Sequence, residues 1–327
     1  YLLTSAVSCP ALEAENTPPR PDKREKLLLT EFWGLGDLTI ATTILQAAVQ
    51  RFEVTVAAKP SAEALLKPSY PEVRFIPFDP PWTAFRGKYR LSKWPWKALN
   101  AFTRRLRREQ FDVAMSVRTD PRDHFLMYAA GARERIGFPT YSSSVFLTRP
   151  ADRSDDHHKV EDWRSLGTCL GFPDMERFSP RLEAHAYESE KLERMFSPRN
   201  KPLIVLHPGA RIPVRRWPEA YFLELIKRLR GMFAFDLAVV VEPDGYGKGL
   251  LGEAQSELSN LQIGELVHLM GKADLVICND SGPGHIAAAC GTPVCVIFGP
   301  GDPKAFRPWG NQHFVGVRDL CEYRPCF

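Results

Sequence analysis

Short apolar runs alternate with longer amphipathic stretches along most of this chain. Eight runs rich in aliphatic residues predict β-strands, four in each half: residues 26–32, 54–58, 73–78, 111–117, 203–206, 237–241, 275–279 and 294–298. After the first run, Leu38, Ile44 and Leu45 belong to a set of apolar residues spaced three and four apart, which predicts a helix with one buried face. Strands that alternate with helices in this way predict parallel sheets joined by crossover helices.

The length of the chain bears on its domain organisation. A chain of 327 residues exceeds what one hydrophobic core organises, so we expect two domains of about 150 residues each. The predicted fold is α/β, with two Rossmann-like domains that each contain a doubly wound parallel sheet. We place a flexible leader at residues 1–22, the first domain at 23–186, a charged linker at 187–202 and the second domain at 203–327.

Composition narrows the class of protein. No stretch approaches the roughly 20 uninterrupted apolar residues of a membrane span, and the start of the chain lacks the long apolar core of a secretory signal. The seven cysteines are an odd number, which favours a reducing compartment, so we expect a cytoplasmic protein. Cys321 and Cys326 are spaced more widely than is typical of a zinc knuckle, and whether they bind a metal stays open.

Positive charge is concentrated in residues 82–108, which contain nine lysines and arginines, six aromatic residues and no acidic residue. One interpretation is a solvated helix face with aromatic side chains packed beneath it. The interleaved aromatic residues favour another, an anionic partner: a phosphorylated lipid or polysaccharide headgroup, a membrane surface or, less favoured, a nucleic acid. No nucleic-acid-binding signature accompanies the segment. We assign acceptor binding to these positions: Arg86, Lys88, Arg90 and Lys93, with Gly36 and Arg118.

The first predicted strand is followed by Trp33-Gly34-Leu35-Gly36-Asp37. The two glycines allow a tight turn and a close approach to a ligand, but the third glycine of a dinucleotide-binding fingerprint is missing. Asp37 is either a cap of the helix that follows or a carboxylate that faces a ligand. Because open parallel sheets bind ligands beyond the carboxyl ends of their strands, this loop is a candidate for one side of a cleft.

Three loops in the second half also follow predicted strands. Residues 207–219 begin with His-Pro-Gly-Ala-Arg and contain three arginines, which indicates an anion-binding turn. Residues 279–285, Asn-Asp-Ser-Gly-Pro-Gly-His, precede a predicted helix at 286–290, whose first backbone amides would face a ligand. Residues 298–303 are expected to shape the cleft. His285 by itself is typical of a structural histidine. The loops therefore predict a ligand-binding cleft, but by themselves they do not identify a reaction.

These motifs, in this order, resemble glycosyltransferase family 9, the ADP-heptose:lipopolysaccharide heptosyltransferases. The resemblance rests on Gly-Leu-Gly-Asp from residue 34, His-Pro-Gly-Ala from 207, Arg-Arg-Trp-Pro-Glu from 215, Asp-Ser-Gly-Pro-Gly-His from 280 and Phe-Gly-Pro-Gly-Asp-Pro from 298. It implies a GT-B architecture with two Rossmann-like domains facing across a cleft. It also implies an inverting reaction without a metal ion or other cofactor, and a nucleotide-sugar donor, ADP-heptose, held by the second domain.

The resemblance assigns roles to individual residues. Asp37 matches the family's catalytic base, and Arg215 matches a basic residue, usually lysine, that contacts the donor phosphate. The loop that holds the donor sugar and diphosphate is matched by Asp280, Ser281, Gly282 and His285. The predicted donor site is completed by His207, Gly209, Arg211, Glu242 and Gly284, with either Glu242 or Asp244 at the nucleotide ribose.

The acceptor implied by the resemblance is a hydroxyl of an anionic glycolipid or lipopolysaccharide core, met at the inner face of the cytoplasmic membrane. Some relatives glycosylate proteins and carry cysteines near their ends, so Cys321 and Cys326 keep a protein acceptor open. Two other classes of protein also stay open. One is a sugar-nucleotide epimerase of the same architecture, and the other is a sugar-nucleotide-binding protein without activity.

Overall fold

The computed structural model describes residues 24–84, 87–153, 158–254 and 256–317. It contains two six-stranded sheets in which each neighbouring pair of strands is parallel. All eight predicted strands are present within these sheets. The predicted α/β fold of two doubly wound units is therefore confirmed.

The first sheet has the strand order β3-β2-β1-β4-β5-β6. Its strands are β1 (Lys26–Glu31), β2 (Glu53–Ala58), β3 (Arg74–Pro77), β4 (Val113–Ser116), β5 (Glu134–Gly137) and β6 (Arg149–Pro150). The helices of this half are α1 (Leu35–Arg51), α2 (Ser61–Leu66), α3 (Trp96–Glu109), α4 (Pro121–Ala129) and α5 (Lys159–Cys169). A short helix, α6 (Glu190–Phe196), precedes the second sheet.

The second sheet has the strand order β12-β11-β10-β7-β8-β9. Its strands are β7 (Leu203–His207), β8 (Asp236–Val241), β9 (Ser256–Ser259), β10 (Leu275–Asn279), β11 (Val294–Phe298) and β12 (Phe314–Val317). The helices of this half are α7 (Glu219–Arg230), α8 (Ile263–Lys272), α9 (Gly282–Ala289) and α10 (Pro303–Phe306).

The central strands are mostly apolar and almost completely buried because helices cover both faces of each sheet. In β1, every residue after Lys26 is buried, and Leu28 pairs in register with Thr55 on one side and Ala114 on the other. Leu38, Ile44 and Leu45 of α1 are buried in the core beside this sheet, as their spacing predicted. Parallel strands in such a layered arrangement read as continuous apolar runs.

Four strands were missed by the sequence prediction: β5, β6, β9 and β12. Three of them, β6, β9 and β12, lie at sheet edges, where a strand has one neighbour and more exposure. β9 reads Ser-Glu-Leu-Ser with only Leu258 buried, and β6 is two residues long. Without a continuous apolar run, such strands form because a neighbouring strand offers hydrogen bonds.

The predicted start of α9 was wrong. The helix begins at Gly282, four residues earlier than the predicted start at Ile286, so the motif from Gly282 to His285 is helix rather than loop. Pro283 fits the first turn because the amide it lacks has no partner within the helix there. The glycines on either side of it hid the helical pattern, since glycine is an unfavourable residue in a helix.

The two halves of the molecule meet at several points. The Leu182 amide donates to the Ala289 carbonyl at 2.9 Å, and His158 Nε2 lies 2.7 Å from the Arg307 carbonyl. At the start of the predicted linker, Tyr187 is buried and its hydroxyl lies 3.0 Å from that of Ser69. The exact domain boundaries stay a prediction. Among the helices within the described ranges, none has the length and apolar character of a membrane span.

Candidate active site

Asp37 is the third residue of α1 and lies beyond the carboxyl end of β1. Its Oδ2 accepts a hydrogen bond from the Gly34 amide at 3.3 Å, so the carboxylate closes the loop that carries it. Burial raises the pKa of the Asp37 carboxyl, and the Gly34 amide, Lys159 and Arg118 act in the opposite direction. A carboxylate with a raised pKa is a stronger base than an exposed one.

Asp280 follows β10 in the other half of the molecule and is 4% exposed. Its Oδ2 lies 3.1 Å from Nη1 of Arg215. Burial raises the pKa of Asp280, Arg215 opposes the rise and Asp37 adds to it. Asp37, Arg215 and Asp280 therefore form one electrostatic group although they come from both halves of the chain.

The two halves approach each other where α1 and α9 begin. A β-carbon added to Gly36 would lie 2.8 Å from Cδ2 of His285, and one added to Gly282 would lie 3.2 Å from the Gly36 amide nitrogen. Both positions need glycine because no side chain fits between the helices. Gly36, which we assigned to the acceptor, thus packs against the predicted donor loop.

His285 lies at this contact and is neutral at physiological pH. Burial lowers its pKa to about 3, with a further contribution from His158 and His313. A neutral imidazole is able to donate or accept a hydrogen bond without adding a positive charge to this contact.

The loop after β11 forms a wall of the same site. A β-carbon at Gly301 would lie 2.4 Å from Oδ2 of Asp280, and one at Gly299 would lie 3.3 Å from the Val214 carbonyl oxygen. This turn therefore packs directly against Asp280 and the segment that carries Arg215. The geometry agrees with the expectation that residues 298–303 shape the cleft.

His207, Gly209 and Glu242 lie together at the carboxyl ends of β7 and β8. Nε2 of His207 is 3.4 Å from Oε1 of Glu242, and burial lowers the pKa of this histidine. A β-carbon at Gly209 would overlap the Glu242 carboxylate, so glycine is what lets that side chain fold over the loop. Of the two ribose candidates, Glu242 is thus the one in contact with other predicted donor residues.

The three arginines of residues 207–219 have different surroundings. Arg215 pairs with Asp280, whereas Arg216 bonds the Ala210 carbonyl at 2.9 Å and pairs with Asp244 at 2.7 Å. Arg211 is exposed. Arg216 and Asp244 therefore hold two loops together, which makes Arg215 the arginine best placed to meet a phosphate beside Asp280.

The predicted acceptor residues separate into a buried and an exposed group. Arg118 is 7% exposed and lies with its guanidinium 4.7 Å from the centre of the Trp33 ring. Lys88, Arg90 and Lys93 lie on the segment before α3 and form no ion pair with any described residue. Arg86 lies outside the described residues.

Known proteins resemble this chain in both sequence and fold. The sequence model of glycosyltransferase family 9 (heptosyltransferase) matches residues 99–326. The chain belongs to this family. It is a glycosyltransferase, and the predicted GT-B architecture is shared with the solved structures of the family described next.

Individual relatives cover most of the chain at low identity. Lipopolysaccharide core heptosyltransferase OpsX of Haemophilus influenzae is 22% identical over 319 residues, covering 88% of this chain and 82% of the relative. A family 9 glycosyltransferase structure from Veillonella parvula superposes with a TM-score of 0.73 at 19% identity, covering 92% and 89% of the two chains. The E. coli heptosyltransferase WaaC with ADP superposes with a TM-score of 0.71 at 19% identity, covering 89% and 93%.

The structure adds two charged residues that the sequence interpretation did not select. Glu31, the last residue of β1, is 2% exposed, and its Oε1 accepts a hydrogen bond from the Trp33 amide at 2.9 Å. Lys159, the first residue of α5, acts on the Asp37 carboxyl and pairs with Asp162 at 3.1 Å. An acidic residue within an apolar strand was a visible signal for Glu31, whereas Lys159 joins the site only through the packing of α5 on α1.

Burial raises the pKa of Glu31 to about 8, and Asp37 adds to the rise while Arg118 and the Trp33 amide oppose it. Glu31 is therefore protonated at neutral pH.

Metal binding receives no support from the described part of the chain. Within it, no group of three or more His, Cys, Asp and Glu side chains is arranged to hold a metal ion. Cys321 and Cys326 lie outside the described residues.

Proposed function

We propose that this glycosyltransferase transfers a heptose from ADP-heptose to a hydroxyl of an anionic glycolipid or lipopolysaccharide core. Three kinds of support favour this substrate pair. Relatives are named as lipopolysaccharide heptosyltransferases, WaaC was solved with ADP and with ADP-2-deoxy-2-fluoro heptose, and the description of the family model names heptosyltransferase. The observation that carries the proposal is the juxtaposition of Asp37 with the Arg215–Asp280 pair.

In the proposed reaction Asp37 is the general base. Its carboxylate accepts the proton of the acceptor hydroxyl while that oxygen attacks the anomeric carbon of the heptose. The bond between the anomeric carbon and the diphosphate oxygen breaks on the opposite face, so the configuration inverts and ADP leaves with the electron pair. The raised pKa of Asp37 supports this role because it makes the carboxylate a better proton acceptor.

In the same proposal Arg215 stabilises the charge that grows on the leaving diphosphate, so that no metal ion is required. Its guanidinium is oriented by Asp280 and by the tightly packed turn around Gly301. The backbone amides at the start of α9 point their partial positive charge to the same place. Asp280 accepts hydrogen bonds from the heptose hydroxyls with the oxygen capacity that Arg215 leaves open.

We also propose that the acceptor is anionic and is met at a membrane surface. The exposed face of α3 carries Lys97, Arg104 and Arg105, and none of the three forms an ion pair with a described residue. Trp96 and Tyr89, 46% and 75% exposed, lie on the same segment. Cations with exposed aromatic rings are typical of surfaces that bind anionic headgroups, and such contact would make the protein peripheral to the inner face of the cytoplasmic membrane.

The direct test is transfer from ADP-heptose to lipopolysaccharide core that lacks the added heptose, followed by mass spectrometry of the acceptor and by release of ADP. The Asp37→Ala variant should lose about a hundredfold or more in turnover while it binds ADP-heptose as the parent does in calorimetry. Undiminished turnover in this variant would reject Asp37 as the base.

Two controls separate the other substrates and reactions. Incubation with the sugar nucleotide alone detects an epimerase, because that reaction needs no acceptor. Replacing the glycolipid by bacterial protein extract detects a protein acceptor through a mass increase of one heptose. Either result, without transfer to the glycolipid, would overturn the proposed acceptor.

A further inference from the structure

Two carboxylates, rather than one, close the loop between β1 and α1. Oε1 of Glu31 accepts from the Trp33 amide at 2.9 Å, and Oδ2 of Asp37 accepts from the Gly34 amide at 3.3 Å. These amides are consecutive, so the two acids bond neighbouring peptide groups of one short loop, and the charge of Asp37 acts on Glu31. Glu31 is almost completely buried.

The only cation that acts on Glu31 among the described residues is shared. Nε of Arg118 lies 2.7 Å from Oδ2 of Asp123, and its Nη2 lies 3.5 Å from Oδ2 of Asp120. Arg118 also acts on Glu31 and Asp37, so one guanidinium faces four carboxyl groups. Arg118 by itself cannot compensate the negative charge of four carboxylates, and the acid with the fewest other partners keeps its proton.

The four acids differ in how many cations and hydrogen-bond donors stabilise their ionised forms. Asp120 has a second arginine, because Arg122 bonds it through Nε at 2.8 Å and Nη2 at 2.7 Å. Asp123 accepts from the Trp82 indole at 2.7 Å in addition to its contact with Arg118. Asp37 also has Lys159 nearby. Glu31 has one backbone amide and a share of Arg118.

We propose that Glu31 is a positioning residue that holds a proton beside Asp37, so that this side of the cleft carries one negative charge while Asp37 serves as the base. The inference rests on the proposed function for the role of Asp37. Glu31 acts through Asp37 and through the Trp33 amide, and it does not touch substrate. When Glu31 loses its proton, a second negative charge appears in a cleft that must bind an anionic donor and an anionic acceptor.

This arrangement predicts an alkaline effect on binding rather than on the chemical step. As Glu31 ionises, KM for the anionic acceptor should rise several-fold while kcat changes little, because Glu31 does not itself take the proton of the acceptor hydroxyl. The groups that set this transition are Asp37, Arg118 and Asp123 around Glu31, with Asp120 and Lys159 acting on those neighbours. A Glu31 that merely stabilises the fold would not separate KM from kcat in this way.

The proton on Glu31 can be observed without an assay. Protein labelled with ¹³C at the glutamate side-chain carboxyl is titrated by NMR, and the Glu31→Gln variant identifies the Glu31 signal by its loss. We expect a midpoint at least about two pH units above that of an ordinary glutamate. In the Asp37→Asn protein the midpoint should move down, since a neighbouring negative charge has been removed. A midpoint in the ordinary range, or one that Asp37→Asn leaves in place, would overturn the proposal.

The kinetic experiment compares three proteins between about pH 7 and pH 9. The parent should show the rise in acceptor KM, and Glu31→Gln, which keeps an oxygen for the Trp33 amide but cannot ionise, should show a flat KM. Glu72→Gln, the same change at an exposed residue of the same half, should behave as the parent does. A rise in Glu31→Gln equal to that of the parent contradicts the inference.

The two proposals fail in different ways. If Asp37→Asn retains turnover, the proposed function fails, whatever pH the Glu31 titration reports. If Asp37→Asn is inactive but Glu31 titrates as an ordinary acid, only the present inference fails. Should Glu31→Gln not fold, which circular dichroism would reveal, the shift of the glutamate midpoints between the parent and Asp37→Asn still decides the question.

Discussion

The two sides of the cleft are built on different principles. On the donor side, one carboxylate, Asp280, meets one arginine, Arg215, and glycines let the surrounding loops approach closely. On the acceptor side, Glu31, Asp37, Asp120 and Asp123 share Arg118, and the pKa values of three of them are raised by burial. The proposed donor side is organised by shape and by one ion pair, whereas the proposed acceptor side gathers several acids around one arginine, so that one acid keeps its proton.

This difference follows from what each side is proposed to do. A site that holds a diphosphate needs a cation fixed in one place, which close packing supplies. A site that removes a proton needs a carboxylate with a raised pKa. Burial next to other acids raises the pKa because it makes the ionised form less favourable in free energy. The comparison leads to predictions that treat the two sides separately.

The largest expected effect is a contrast between Asp37→Asn and Asp280→Asn. The first change should lower kcat by about a hundredfold or more without weakening donor binding, because it removes only the base. The second should weaken binding of ADP-heptose, because Arg215 loses the carboxylate that orients it. Steady-state kinetics and calorimetry measure both quantities. Equal effects of the two variants on donor affinity would break the proposed division of the site.

Gly36→Ala should reduce activity by tens of fold, since the new methyl group would lie 2.8 Å from His285 and push the two sides apart. Displacements of about 1 Å are enough to cost about a hundredfold in enzymes. Gly34→Ala is the matched control, because its nearest neighbour would be Asp37 Oδ2 at 3.9 Å and its backbone is extended. The kinetic constants of both variants test this, and equal losses would show that the α1–α9 contact is not the reason.

The basic face of α3 is expected to matter for a membrane and not for chemistry. Combined replacement of Lys97, Arg104 and Arg105 by Gln should weaken binding to vesicles with anionic lipid by about tenfold or more, from roughly 1 kcal/mol per cation. Turnover of a water-soluble acceptor fragment should stay near the parent's. Replacement of three exposed lysines elsewhere, Lys191, Lys201 and Lys227, is the control in vesicle sedimentation. If both sets of variants lost a similar amount of vesicle affinity, the net charge of the protein, and not the α3 surface, would explain the binding.

Gly301→Ala should raise KM for ADP-heptose by about fivefold, which corresponds to roughly 1 kcal/mol. The new β-carbon would lie 2.4 Å from Oδ2 of Asp280 and would shift the carboxylate that Arg215 needs. Gly252→Ala, with no atom within 4 Å of its added β-carbon, serves as the control. An unchanged KM in Gly301→Ala would show that the donor side tolerates displacement and is not organised by close packing.

The smallest effect concerns stability and tests the charge stored on the acceptor side. The pKa of Glu31 is raised from 4.5 to about 8 on folding, so its contribution to stability is complete below about pH 4.5 and is lost as the pH rises towards 8. The Glu31→Gln protein should not lose stability in this way, because glutamine does not ionise. Its thermal midpoint should match the parent's at low pH and exceed it by about 5 °C at pH 8, as calorimetry at both pH values would show. A gain that is constant with pH would have another cause.

Much of the fold was predictable because the order of apolar and polar residues along the sequence indicates most of its strands and its first helix. The strands from β1 to β4 and β7, β8, β10 and β11 are apolar runs, and the spacing in α1 identifies one buried face. The start of α9 was misplaced because Gly282 and Gly284 weaken the helical signal, although the helix forms where its first turn packs on α1. The edge strand β9 was missed because only Leu258 in it is buried.

The candidate site also contains residues that could be predicted from the sequence and residues that could not. The motifs around Asp37, Arg215 and Asp280 were visible as unusual residues after strands, and the resemblance to the family was first seen in them. The partners of these residues were not visible. Lys159 comes from a helix about 120 residues further along the chain than Asp37, and the Asp280–Arg215 pair joins loops after two different strands. Contacts of this kind depend on the path of the backbone, which the spacing of residues along the sequence does not predict.

Sequence alone determined the class of this molecule: two parallel α/β units, the loops that carry chemistry and the family to which the chain belongs. Tertiary structure decided how those loops act on one another. It placed Gly36 against His285, left Arg215 as the arginine beside Asp280, and put a second, protonated acid next to Asp37. The physical reason is that a strand or helix reflects the polarity of its own residues, whereas a pKa or a close contact depends on burial and on neighbours from elsewhere in the chain.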